Sequence, residues 1–183
     1  MTQQAAGYED CDFALASGRL RVRRWGAADA PAVVCVPGLS ANLSGFDRLA
    51  ERLAGETLQL VAIDLRGRGR SEVTGAGTYG WRNHARDVLG IADAVGASSF
   101  AIIGQSSGAA IHALWNAITI PALVLRARQE IMPGFGFILP AAEAERFAAA
   151  VPSARVVEID ANHYTITTHE DSIAAIGAFL RTS

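Results

Sequence analysis

The stretch FAIIGQSSGAAIHALW, residues 100–115, runs from an apolar segment through a serine-containing turn into a segment with helical spacing. Within it, Gly104, Ser106 and Gly108 match the pattern G-x-S-x-G, in which the central serine lies on a sharp turn between a strand and a helix. Glycines flank the serine because the backbone is crowded at such a turn. The pattern predicts that Ser106 is a nucleophile, and a glycine-rich turn without chemistry is the alternative.

Short apolar runs alternate with amphipathic segments on both sides of this stretch. The strand-like segments are DFALA, RLRVRRW, AVVCV, LQLVAID, FAIIG, ALVLRA and ARVVEI. The first two are expected to form a hairpin around Ser17 and Gly18, and Asn42 can cap the first helix. The alternation predicts an α/β fold: a mostly parallel, doubly wound sheet of about seven strands with helices on both faces, in one domain over residues 1–183.

Composition excludes several kinds of partner. The chain has 183 residues, half of them hydrophobic, and a formal net charge of −2 without a run of lysines or arginines, so we expect no nucleic acid partner. Residues 95–125 carry no charged side chain, but glycine, serine, asparagine and proline divide this run into pieces shorter than the roughly 20 residues a bilayer requires. We therefore expect no membrane span.

The cysteine content and the N-terminal residues indicate a location. Cys11 and Cys35 are too few for a disulfide framework, and Cys35 lies within an apolar strand, where a buried free thiol is expected. The first 13 residues are polar and acidic, unlike a secretory signal. These features predict a cytoplasmic protein.

A nucleophilic serine requires a base, and His163 has the most suitable position. It follows the apolar segment RVVEI after a short loop and precedes the last helix, where a loop can reach the carboxyl ends of the strands. His169 shares this region and is the alternative base. His84 lies in a polar helix and His112 in the helix after the serine, so packing or surface roles are expected for both.

The third member of a triad is a carboxylate that orients the imidazole and stabilises its protonated form. Glu130 comes after the strand ALVLRA and lies between Ser106 and His163 in chain order, an order found in known triads. Asp160 and Asp171 are alternatives because they are close to His163 in sequence. Glu130 is the predicted acid.

Hydrolysis through a serine also requires an oxyanion hole. The backbone N–H of Ser107, directly after the nucleophile, is the first expected donor. The loop VPGLSAN after an earlier strand supplies the second, for which we predict the N–H of Leu39, because Gly38 lets the backbone approach closely. An ordinary turn between a strand and a helix is the alternative for this loop.

Five segments, in this order, resemble the α/β-hydrolase fold superfamily, in particular actinobacterial-type hydrolases related to esterases and lactonases. They are VCVPGLSAN, AIDLRGRGRS, IIGQSSG, IPALVLRARQEIMP and DANHYTI. The resemblance covers nearly the whole chain and implies Ser106 as nucleophile, Glu130 as acid and His163 as base. DLRGRGRS, residues 64–71, resembles a structural turn of the family, and no catalytic role is assigned to it.

The chain also departs from this family. Pro37 replaces the usual histidine of the oxyanion loop, Gln105 and Ser107 stand where His and Met are frequent, and Glu130 stands where Asp is commoner. Only 24 positions separate Ser106 from Glu130, so 17 residues, AAIHALWNAITIPALVL, carry the helix and the acid-bearing strand. The cap domain and one core strand of the family are therefore expected to be absent.

These features predict a capless serine hydrolase that cleaves esters of small carboxylic acids through an acyl-enzyme, without a metal or cofactor. Alternatives are a lactonase, a carbon–carbon bond hydrolase, or an inactive binding or assembly protein. Activity is expected to rise through a histidine pKa near 6.5, displaced upward by a paired carboxylate. Incomplete cover over Trp115, Ile118, Ile120, Phe135 and Phe137 predicts a homodimer or higher oligomer.

Overall fold

The structure, a computed structural model, describes residues 7–38, 40–106 and 120–182. Its contacts divide the chain into two compact units, Met1–Ala109 and Ala110–Ser183. That these form a single domain over residues 1–183 stays a prediction.

The described strands and helices follow the predicted alternation. The first unit contains β1 (Tyr8–Leu15), β2 (Gly18–Trp25), β3 (Ala32–Val36), α1 (Asp47–Leu53), β4 (Gln59–Ile63), α2 (Trp81–Ala94) and β5 (Phe100–Gly104). The second contains β6 (Ala122–Ala127), α3 (Ala141–Ala150), β7 (Ala154–Ile159) and α4 (Glu170–Leu180). Short 3₁₀ helices lie at Leu43–Phe46 and Ile166–Thr168, and the side chain of Asn42 caps the first of these.

The first unit is built on a mixed five-stranded sheet in the order β1-β2-β4-β3-β5. The predicted hairpin is confirmed: β1 and β2 pair antiparallel from Tyr8 opposite Trp25 to Leu15 opposite Gly18. A connection this short can join only antiparallel strands. β2 also pairs antiparallel with β4, whereas β3 pairs parallel with both β4 and β5.

In the second unit, β6 and β7 form a separate parallel pair, from Ala122 opposite Ala154 to Ala127 opposite Ile159. The described strands thus form sheets of five and two strands. One mostly parallel sheet of about seven strands, doubly wound with helices on both faces, is not confirmed. The antiparallel hairpin at the start of the chain accounts for the mixed character of the larger sheet.

The core of the first unit lies between the five-stranded sheet and α2. Its buried apolar residues are Leu20, Val22, Val34, Val36, Val61, Ile63, Leu65, Val88 and Ile91. On β3, Val33 and Cys35 point to the opposite face and are buried as well, and the 3₁₀ helix after β3 contacts that strand. Each fully buried aliphatic side chain contributes about 1.5–3 kcal/mol relative to exposure. β3 is therefore stabilised by buried side chains on both of its faces.

The second unit has its own small core. α3 packs on β7, and α4 packs on both β6 and β7, burying Phe147, Ile159 and Ile173 among other side chains. Arg126 of β6 is also buried, and its Nη1 donates to Oε1 of Glu158 on β7 at 2.7 Å. This ion pair links the two strands near their carboxyl ends.

Several apolar side chains of the second unit are exposed. Ile120 is 70% exposed, Phe135 72% and Phe137 40%, as incomplete cover predicts. Trp115 and Ile118 lie outside the described residues. Within the described ranges, no helix combines the length and the apolar character needed to cross a membrane.

Candidate active site

The order of strands in the first unit reverses its direction at β3. The chain passes from β3 to β4 on one side of β3, and β5 later pairs with the other side. Ligands of open α/β sheets bind at such a reversal point. The backbone N–H of Gln105 donates to the carbonyl of Val36 at 3.0 Å, which extends the pairing of β3 and β5 to the residue before Ser106.

Ser106 follows directly and adopts an uncommon backbone conformation. Its φ is +53°, and among the described residues it alone has a positive φ without being a glycine. The left-handed region costs an L-residue roughly 1–2 kcal/mol, so the surrounding structure must hold Ser106 there. A strained turn directly after a strand is expected where the G-x-S-x-G pattern presents a nucleophilic serine.

Gly38, in the loop after β3, lies against this serine. A Cβ added at Gly38 would be 2.9 Å from Cβ of Ser106 and 3.2 Å from the carbonyl oxygen of Gln105. Only a glycine fits this approach without displacing the turn. The predicted oxyanion donors, the N–H groups of Leu39 and Ser107, lie outside the described residues and stay predictions.

The carboxylate of Asp64 joins the loop after β3 to the loop after β4 by hydrogen bonds. Its side chain is buried, Oδ1 accepts from the N–H of Leu43 at 2.9 Å, and Oδ2 accepts from the N–H of Arg70 at 2.9 Å. A Cβ at Gly69, where φ is +52°, would overlap this carboxylate. The sequence indicated a structural turn at residues 64–71. An aspartate directly after an apolar strand was the sequence signal that could have predicted its role in joining the two loops.

Glu130 lies beyond the carboxyl end of β6, at the edge of the smaller sheet. The N–H of Gln129 donates to the carbonyl of Ala161 at 3.0 Å, so the segment carrying Glu130 runs beside the one carrying His163. The carboxylate of Glu130 itself accepts from the N–H of Gly134 at 2.8 Å. No hydrogen bond or ion pair joins Glu130 to His163 among the described residues.

His163 lies in a turn held by Asn162. Oδ1 of Asn162 accepts from the N–H groups of Tyr164 at 2.9 Å and Thr165 at 3.1 Å, and the imidazole contacts the Tyr164 ring edge-on. Burial lowers the pKa of His163 below its ordinary value, because the interior disfavours the charged imidazole. This lowering of the pKa is opposite to the rise expected for a histidine paired with a carboxylate.

The alternative residues have other contacts. Asp160 accepts a hydrogen bond from the Gln129 side chain at 3.3 Å. His169 caps α4, where its Nδ1 accepts from the N–H of Asp171 at 3.2 Å and lies 3.7 Å from Oδ2 of Asp171. This local role at a helix start accounts for His169 without catalysis.

The remaining two histidines are His84 and His112. Nδ1 of His84 lies 3.9 Å from Oδ2 of Asp87, and burial lowers the pKa of His84. This position within α2 agrees with the expected packing role. His112 lies outside the described residues.

The structure places Ser106 in the first unit and Glu130 and His163 in the second. It brings Ser106 together with Gly38, and the segment of Glu130 together with that of His163. The triad as a whole stays a prediction. In the described part of the chain, no three His, Cys, Asp or Glu side chains are grouped so that they could hold a metal ion.

The chain resembles known proteins in sequence. A family model described as the alpha/beta hydrolase fold matches residues 31–127. The Serine hydrolase-like protein of Homo sapiens is 29% identical over 108 residues, which are 58% of this chain and 52% of that protein. The chain thus spans about half the length of this relative.

Solved structures share the fold over nearly the whole chain. An alpha/beta hydrolase from Novosphingobium aromaticivorans has a TM-score of 0.76 at 19% identity, covering 98% of this chain and 100% of that one. The enol-lactonase from Burkholderia xenovorans has a TM-score of 0.78 at 18% identity, covering 93% and 100%. Since residues 31–127 are more than half of the 183-residue chain, this protein belongs to the alpha/beta hydrolase fold family.

Proposed function

We propose that this protein is a serine hydrolase that cleaves esters of small carboxylic acids through an acyl-enzyme. The observation that carries the proposal is the backbone of Ser106, held at a φ of +53° against Gly38 at the reversal point of the sheet. A strained serine at this place has a ready explanation in catalysis, because strain of this kind persists where function requires it. The hydrolase-like names of its relatives agree with this proposal.

In the proposed mechanism, the hydroxyl oxygen of Ser106 attacks the ester carbonyl while His163 accepts its proton. The N–H groups of Leu39 and Ser107 stabilise the tetrahedral oxyanion, and the protonated imidazole then donates to the departing alkoxide, which leaves as an alcohol. Water activated by His163 attacks the acyl-serine, and the carboxylic acid leaves with regeneration of the hydroxyl. Glu130 stabilises the imidazolium.

A fluorophosphonate probe tests the nucleophile directly. The wild-type protein is expected to gain one phosphonyl group on the peptide containing Ser106, as measured by mass spectrometry after digestion. Ser99→Ala is a suitable control, because Ser99 is exposed and precedes the amino end of the same strand, β5. An unlabelled wild-type protein would favour the inactive binding or assembly protein instead.

The pH dependence of kcat/KM is expected to report the neutral form of His163. A protonated imidazole cannot accept the serine proton, so activity falls as the pH decreases through the pKa. Because burial lowers this pKa, the half-maximal point is expected below the ordinary value of about 6.5. A titration of kcat/KM from pH 4.5 to 9 measures it, and His84→Gln should leave the midpoint unchanged.

A midpoint above about 6.5 would show that pairing with a carboxylate, rather than burial, determines the pKa of the His163 imidazole. A flat profile over the same range would remove His163 from the role of base.

The identity of the acid is decided by amide substitutions. Glu130→Gln is expected to reduce kcat by about two orders of magnitude or more, because the amide cannot stabilise the imidazolium. Asp160→Asn and Asp171→Asn, matched changes at the alternative positions, are expected to stay within a few-fold of the wild type. The reverse ranking, in steady-state rates on nitrophenyl esters, would move the acid to Asp160 or Asp171.

Lactones are a second proposed substrate class. A lactone is a cyclic ester, so the same nucleophile and base would open it, and the fold is shared with an enol-lactonase. We also propose a homodimer or higher oligomer, for which the exposed Phe135 is the supporting observation. A cytoplasmic location is proposed from the content of only two cysteines.

A further inference from the structure

The carbonyl oxygen of Gly38 accepts two hydrogen bonds. One comes from the backbone N–H of Ala41 at 3.2 Å, within the same loop. The other comes from Nη1 of Arg68 at 3.1 Å, from the loop after β4. The residue that lies against the candidate nucleophile is therefore held by a cationic side chain from a neighbouring loop.

The backbone around Arg68 is itself firmly held. The N–H of Gly67 donates to the carbonyl of Glu72 at 2.8 Å, and the N–H of Arg68 donates to the carbonyl of Leu65 at 2.9 Å. The carboxylate of Asp64 accepts from the N–H of Arg70 and anchors the rest of the turn. Arg68 is half-buried, so its guanidinium extends from a rigid base.

The carbonyl of Gly38 belongs to the same peptide group as the N–H of Leu39. A peptide group is planar, and in the trans form its C=O and N–H point in opposite directions, so a restraint on one end restrains the other. We propose that Arg68 is a positioning residue, which fixes the peptide group whose N–H is the second oxyanion donor. This inference depends on the proposed serine hydrolase function.

Charge adds to this geometric effect. A hydrogen bond from a guanidinium polarises the carbonyl that accepts it, and polarised hydrogen bonds strengthen their neighbours. The N–H at the other end of the peptide becomes a better donor to the negative oxygen of the transition state. Arg68 thus acts on the transition state through the peptide group and makes no contact with the substrate in this role.

Substitution of Arg68 tests the proposal in the full chain with nitrophenyl acetate. Loss of a complete oxyanion donor costs about 10²- to 10³-fold in kcat, so a misoriented donor in Arg68→Ala is expected to cost roughly 10- to 100-fold. KM is expected to change less than about 2-fold, because the donor acts mainly in the transition state. Arg68→Lys, which retains one cationic donor, should recover part of the lost kcat.

Arg70→Ala is the matched control. Arg70 lies in the same turn and is exposed, so its substitution removes the same charge but leaves the bond to Gly38 in place. It should retain the kcat of the wild type. Arg68→Met keeps the apolar stem and serves if the alanine variant unfolds, and thermal unfolding of each variant verifies the fold.

Wild-type kcat in folded Arg68→Ala or Arg68→Met overturns the proposal. Equal losses of kcat in Arg68→Ala and Arg70→Ala also overturn it, because the positive charge of the loop, and not the hydrogen bond to Gly38, would then account for the effect. A wild-type protein that neither hydrolyses esters nor reacts with fluorophosphonate overturns the proposed function and this inference together. If the wild-type protein is active and labelled while the folded Arg68 variants keep the wild-type kcat, the inference alone has failed.

Discussion

Replacement of Ser106 by alanine is expected to reduce ester turnover at least about 1,000-fold, and His163→Ala is expected to do the same. Residues of a triad act as a unit, so the double variant should be hardly slower than either single one. Steady-state rates on nitrophenyl acetate and nitrophenyl butyrate measure the effect. Substantial activity in Ser106→Ala would exclude Ser106 as the nucleophile.

A stability measurement separates this chemical effect from a folding effect. Alanine at a φ of +53° is strained much as serine is, so Ser106→Ala should unfold at nearly the wild-type denaturant concentration. Ser106→Gly removes the strain and is expected to be more stable than Ser106→Ala by about 1 kcal/mol, while being equally inactive. Equal stability of the two variants would contradict the strained turn.

Replacement of Asp87 by alanine is expected to lower the free energy of unfolding by about 3–5 kcal/mol. The carboxylate of Asp87 is 1% exposed and accepts from Nε of Arg66 at 2.7 Å and from the hydroxyl of Ser17 at 2.6 Å. The pair raises the pKa of the Arg66 guanidinium, which is 5% exposed. Removal of one partner leaves this buried charge without its counterion.

Urea unfolding measures this loss, with Glu143→Ala as the control. Glu143 forms an ion pair with Arg146 on the more exposed surface of α3, and such pairs contribute about 0–1 kcal/mol. The double variant Arg66→Met/Asp87→Leu is expected to regain most of the stability, because it removes both charges. A loss below about 1 kcal/mol in Asp87→Ala would show that solvent reaches Arg66.

Some of the fold and site could be predicted from the sequence because the signals are local. The β1–β2 hairpin follows from two alternating segments separated by a short turn containing Ser17 and Gly18. The turn at Ser106 follows from the glycines two positions before and after it, Gly104 and Gly108, and its positive φ agrees with that prediction. Residues near each other in the chain must be near each other in space, so patterns of this kind are informative.

Other features could not be predicted in this way. The pKa of His163 is lowered, where pairing with a carboxylate had predicted an upward displacement, because burial depends on all the segments that surround a side chain. The division into a mixed five-stranded sheet and a parallel pair also differs from one mostly parallel sheet. Strand alternation specifies which segments are strands, but it does not specify their neighbours.

The sequence by itself determined the order of strands and helices, Ser106 as the candidate nucleophile, and Glu130 and His163 as candidates after β6 and β7. The tertiary structure alone decided that Gly38 lies against Ser106 and that Arg68 donates to the carbonyl of Gly38, 30 positions away in the chain. Contacts between distant positions form only when the strands take their order in the sheet, because that order brings the loops after β3, β4 and β5 to one edge.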